Sequence, residues 1–307
     1  ASLWHVPGEA HIVFSGPILT TLKGAEVEAI LAHELAHHHL WELEAGDFLS
    51  ATRLITSSAN DPRSAAGHSH TARRMQLYTE IFADRGSYAA CGDLHATVAA
   101  LVKTQTGLSE VSAESYLRQA DEIFARENAA TKGFDHPETF IRARALRLWA
   151  EDNPSLDAWL SHVIEGPLAI DELDLAGQHR MGALTRRFLA ELLRPRWFQS
   201  DAVLSHACAF FPDFQPGRVE DAALIESLKF SDPPTREYLC YLLLDFAALD
   251  PELDNVPLAA ALDWSQRLEI QEMFEKLAVK ELGMGKRELN KIKKEAANLM
   301  AKAEGAS

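Results

Sequence analysis

Basic charge is scarce in this chain. Against 45 Asp and Glu stand only 30 Lys and Arg, a net charge of −15 over 307 residues. A general nucleic-acid binder needs the opposite balance, because neutralising phosphates takes a basic surface. Cysteine is scarcer still: Cys91, Cys208 and Cys240 lie far apart with no CxxC pair. That excludes a disulfide framework and predicts free thiols in a reducing compartment. Long apolar runs are missing too. The longest, Tyr238 to Leu244, stops at Asp245 and is much too short to span a bilayer. "GMGK" at 283–286 lacks the spacing and the Ser/Thr of a phosphate loop, so no nucleotide site is expected. No signal peptide, fixed-period repeat or low-complexity tract is visible in the sequence. These absences predict a cytoplasmic protein, and a chain starting at Ala1 rather than Met is compatible with N-terminal processing or truncation.

The apolar fraction of 47% is ordinary for a globular protein and sufficient for a packed core. Strand signals cluster at the start, where "LWHV" and "HIVFS" flank "PGEA" and read as a hairpin. From Gly24 the pattern turns helical, with Val27, Ile30, Leu31 and Leu35 recurring at three and four and an end expected near Gly46. The small polar stretch 56–70 reads as a loop, residues 71–91 as a second helix, and Cys91-Gly92-Asp93 as a break and restart. Further helices are expected at 93–104, 111–128 and 137–151, with Pro137 placed to start the last. After Pro154 the composition is almost wholly helical. The expected fold class is therefore mainly α, within α+β, with domains at 1–152, 153–230 and 231–307.

Within the first helix, residues 33–39 read "HELAHHH", a costly run of polar groups on an otherwise apolar element. Its first five residues form H-E-x-x-H. On a helix, His33 and His37 project from one face, giving the pair of imidazole nitrogens that Zn²⁺ favours. Glu34 lies about 100° around the helix from His33, beside such an ion and able to take a proton from its water. A catalytic zinc wants a third protein ligand and an open position. Glu80, in "YTEIFADRGSYAA", would complete a His-His-Glu set. Asp84, one turn on, could accept the N–H of a ligating histidine and fix its tautomer. His38 and His39 point off that face and read as surface or packing residues. His68 and His70 read as loop residues near the cleft.

"HELAH", the downstream "EIFAD" (Glu80 to Asp84) and "HPETFIRARAL" (His136 to Leu146) together resemble the gluzincin metallopeptidases of the HtpX and CAAX-prenyl-protease type, over about half the chain. The resemblance implies a zincin-like catalytic domain in which His33, His37 and Glu80 bind zinc and Glu34 is the general base. For His136 it implies a transition-state or structural role, and for Arg142 the same, a salt bridge within the domain serving equally well. It also makes "HIVFS" at 11–15 a rim for extended substrate, as a strand edge can grip a peptide backbone. Membrane-bound members carry transmembrane helices and this chain has none, so a prenylated substrate is not implied. Only 32 residues precede His33, fewer than such domains usually have.

The expected activity is thus zinc-dependent hydrolysis of peptide or unfolded-protein substrates. The competing expectation is a latent or inactive zinc-binding helical adaptor, with residues 155–307 available to a protein partner. Segment 233–300 weakly resembles tellurite-resistance-B-like helical domains. The basic excess after Ala278 reads as a solvated terminal helix.

Overall fold

The computed structural model describes residues 1–6, 9–126, 130–166, 169–217, 223–229 and 231–306. The protein is mainly helical with a two-stranded sheet at its N-terminus. By contacts it divides into two compact units, Ala1–Gly166 and Pro167–Ser307.

The first unit opens with β1 (Ser2–Val6) and β2 (Glu9–Val13), paired antiparallel with Leu3 opposite Ile12 and Trp4 opposite His11. The hairpin expected from sequence is present, though its second strand starts and ends two residues before "HIVFS". The expected turn residues Pro7 and Gly8 lie outside the described residues. A short α1 (Ile18–Thr21) leads into α2 (Ala25–Glu42), the histidine-bearing helix. After it come α3 (Asp47–Asn60), α4 (Ala66–Cys91), α5 (Leu94–Thr106), α6 (Ala113–Arg126), α7 (Thr139–Ala150) and α8 (Leu156–Glu165).

The stretch 56–70 is not the loop its composition suggested. α3 runs through Asn60 and α4 begins at Ala66, leaving only a turn at 61–65. Of its hydroxyls, Ser69 donates to the Ala59 carbonyl at 3.4 Å, and the threonines flanking the stretch bond to carbonyls one turn back: Thr52 to Phe48, and Thr71 to Gly67. Such bonds let Ser and Thr sit on a solvated helix, and α3 buries none of its residues. The break is made by Asp61, whose side chain accepts from the Arg63 backbone N–H, with Pro62 between them. His68 and His70 accordingly stand on the first turns of α4. The break and restart at Cys91-Gly92-Asp93 is as expected. Gly92 ends α4 at φ 69° and Asp93 caps α5 by accepting from the Ala96 N–H at 3.0 Å, the usual residues for a stop and a start.

α2 and α4 lie side by side and antiparallel. Ala29 faces Ser87, whose hydroxyl donates to the Ala29 carbonyl at 2.6 Å, while His33 faces Asp84 and His37 faces Glu80. Small residues make this approach possible. A Cβ added at Gly86 would stand 2.5 Å from the Ala36 Cβ, so the two helices meet where one has no side chain and the other only a methyl. Leu77 and Ile81 of α4 pack with Ala145, Leu148, Leu156, Leu160 and Ile164. Val98, Leu101 and Val102 of α5 pack with Leu117, Ala143 and Leu146. α4 is thereby clamped between α2 and α7. A buried ion pair, Lys103 Nζ to Glu26 at 2.8 Å, ties α5 to the first turn of α2.

The second unit holds α9 (Leu175–Leu192), α10 (Asp201–Phe210), α11 (Leu224–Lys229), α12 (Pro233–Ala247), α13 (Val256–Arg267), α14 (Gln271–Glu281) and α15 (Lys286–Ala306). Phe188, Leu192, Phe246, Leu258 and Phe274 build its own core. Side chains of Asp174, Ser200 and Asp232 cap α9, α10 and α12. Residues 151–155, expected to separate domains, form the turn between α7 and α8. No helix of the described residues is long and apolar enough to cross a membrane.

Candidate metal centre

The motif helix and α4 bring three side chains to one point. His33 Nε2 and His37 Nε2 are 3.2 Å apart. Glu80 supplies Oε2 at 3.6 Å from the first and Oε1 at 3.5 Å from the second. Among the described residues, His33, His37 and Glu80 form the group whose ligand atoms all lie within 4.8 Å of one another. Ligands about 2.0–2.1 Å from a tetrahedral ion stand about 3.3–3.4 Å apart, so the two nitrogens and the carboxylate are spaced for such an ion. Glu80 Oε2 is fully buried without a hydrogen-bond partner, and a buried carboxylate oxygen left so is costly. Two imidazoles and one carboxylate suit a divalent transition ion, and Zn²⁺ is a common occupant of such sets. The residues present fit a metal.

Asp84 and Arg142 stand behind this trio. Asp84 is 1% exposed and accepts two hydrogen bonds from the Arg142 guanidinium, at 2.7 and 2.6 Å. Its Oδ1 also lies 3.1 Å from His33 Nδ1, which leaves Nε2 to face the centre. Arg142 reaches Glu80 Oε2 as well, at 3.4 Å. Two buried carboxylates against one guanidinium leave an uncompensated negative charge, which a cation or a proton must balance.

In the absence of an ion that charge falls to a histidine proton. Burial opposes the His33 imidazolium, but its contacts with Asp84 and Glu80 outweigh burial and lift its pKa to about 9. Burial first, and the charge on His33 second, push His37 down to about 4. Burial likewise opposes the Asp84 carboxylate, yet Arg142 holds its pKa at about 2. Glu80 is also lowered, against burial, by His33 and Arg142. His33 is thus the charged ring of the pair and His37 the neutral one.

Glu34 is half-buried, and burial raises its carboxyl pKa above the usual value, partly offset by His33. A raised carboxyl is the direction a general base needs near neutral pH. His136, carried by the segment between α6 and α7, is exposed, yet its Nε2 lies 3.5 Å from Glu80 Oε2. It is not among the atoms spaced for a common ion. His39 is exposed, and His38 lies 3.9 Å from Glu42 rather than in the trio. His68 and His70 stand apart from the trio as well; His68 contacts the Ala65 carbonyl at 3.2 Å.

Sequence reasoning overlooked Gly86, Ser87 and Arg73. A lone glycine inside an apolar helical pattern does carry a signal, since it often marks close packing. Arg73 carried none, because its partners are backbone carbonyls.

No protein-family model matches the chain, and neither does any curated protein or solved structure.

Proposed function

We propose that the first unit is a zincin-like, zinc-dependent metallopeptidase domain, similar in its site to the gluzincins, acting on peptide or unfolded-protein substrates. The observation that carries this reading is the spacing of His33 Nε2, His37 Nε2 and Glu80, with Asp84 behind His33. His33, His37 and Glu80 would hold the ion. When bound, zinc lowers the pKa of a water and polarises a substrate carbonyl.

Glu34 takes the proton of the attacking water and returns it to the leaving amine. Asp84 keeps His33 oriented with Nε2 forward, and Arg142 keeps Asp84 charged and in place. His136, exposed with its Nε2 3.5 Å from Glu80, would donate a hydrogen bond to charge developing on the substrate oxygen. A latent zinc-binding adaptor would keep the same ligands, so Glu34 separates the two readings. Glu34→Gln should bind zinc as wild type does and cleave casein about 10²–10⁴-fold more slowly. Wild-type cleavage should stop with a chelator and return with zinc. Equal cleavage by Glu34→Gln, or no cleavage by zinc-loaded wild type, would refute the proposal.

A further inference from the structure

The segment that carries His136 is held more firmly than a surface turn requires. Arg73, on α4, donates from Nε to the Gly133 carbonyl at 2.9 Å and from Nη2 to the Thr131 carbonyl at 3.0 Å. Thr131 is tied on its other sides, its backbone N–H to Val163 at 2.8 Å and its hydroxyl to Glu138 at 2.7 Å. Glu138 also accepts from the Lys132 N–H at 2.9 Å. The turn is tight: a Cβ at Gly133 would fall 1.9 Å from the His136 carbonyl oxygen. Arg73 and Glu80 are seven residues apart, close to two turns, and so lie on the same face of α4. One rigid helix therefore supplies a metal-facing carboxylate and, two turns earlier, a fork that grips the loop bringing His136 to that carboxylate.

From this we infer that Arg73 is a positioning residue of the centre, acting through His136. The inference rests on the metallopeptidase reading. A guanidinium fork suits the task, because its two parallel N–H groups fix both the height and the angle of the loop. A general tether would serve anywhere on the loop; this one holds the two carbonyls that precede the bend leading to His136.

The experiment uses the full chain loaded with zinc. Arg73→Ala should bind zinc within about twofold of wild type, since no ligand has moved, while kcat falls about 10–100-fold and KM changes little. Added to His136→Gln, it should cost nothing more, because the loop then has no ring to place. The side-chain ¹⁵N resonances of His136, identified by their loss in His136→Gln, should shift in Arg73→Ala. Gly133→Ala displaces the same loop with Arg73 intact and should reproduce both effects. That variant keeps the test open if Arg73→Ala fails to fold. An unchanged kcat in both variants, or an equal loss with and without His136, overturns the inference. If wild type shows no cleavage the peptidase reading fails, and the His136 resonances still decide: shifted in Arg73→Ala they support the clamp, unshifted they overturn it.

Discussion

Gly86→Ala tests how the centre is assembled without touching any ligand. Two effects oppose each other. Helix propensity favours alanine over glycine by about 1 kcal/mol, so α4 taken alone should be stabilised. The new methyl, however, would lie 2.5 Å from the Ala36 Cβ, whereas carbon atoms rest at about 3.5–4.0 Å. α2 and α4 must therefore part by about 1 Å or more at this contact, and overpacking of this kind costs about 1–3 kcal/mol. The same movement would carry the His33 and His37 nitrogens away from a Glu80 carboxylate that now stands 3.5–3.6 Å off. Those gaps would then exceed the spacing that a tetrahedral ion can bridge, so zinc affinity should fall by about 10–100-fold, the usual range for a lost supporting contact.

The assay is a competition titration with a chromogenic chelator, alongside thermal unfolding with and without zinc. Ala36→Gly combined with Gly86→Ala moves the methyl from one helix to the other and should restore zinc affinity. A higher Tm and wild-type zinc affinity in Gly86→Ala alone would refute the reasoning, because propensity would then have won over packing.

Arg142→Ala should destabilise the first unit by about 3–5 kcal/mol, the usual cost of leaving one partner of a buried ion pair alone; chemical denaturation checks this, and a loss under 1 kcal/mol would count against it. Zinc binding at pH 7 should release about one proton, from His33, since His37 is already neutral. Calorimetric titration in two buffers of different ionisation enthalpy measures this, and no release would contradict a charged His33. Stability against pH follows from the same groups. The His33 pKa rises from 6.5 to about 9 on folding, so its contribution is complete below pH 6.5 and fades as the pH climbs through 9 in the metal-free protein. Asp84 is lowered from 3.8 to about 2, so its share is present above pH 3.8 and is lost as the pH falls through 2. His37, lowered from 6.5 to about 4, opposes this only below about pH 6.5, so denaturant midpoints measured across about pH 7–9 without zinc should decline; a flat or rising profile would contradict the His33 assignment.

Spacing alone determined a good deal here. H-E-x-x-H puts His33 and His37 on one face because four residues make about one helical turn, and no packing partner is needed for that deduction. Glu80 and Asp84 pair by the same arithmetic, and Asp93 after Gly92 marks a boundary through local backbone chemistry. Composition misled at 56–70, where serines and threonines were as compatible with a solvated helix as with a loop. What sequence could not supply were the distances between helices. That Glu80 meets both imidazoles, that Asp84 stands behind His33 within reach of Arg142, and that His136 is brought to Glu80 all depend on α2, α4 and the segment before α7 meeting at particular points. Those points are set by Gly86 against Ala36, Ser87 against Ala29, and Arg73 against two backbone carbonyls. Such contacts join residues far apart in the chain: a methyl and main-chain oxygens carry no sequence signature, and a lone glycine signals close packing without naming its partner.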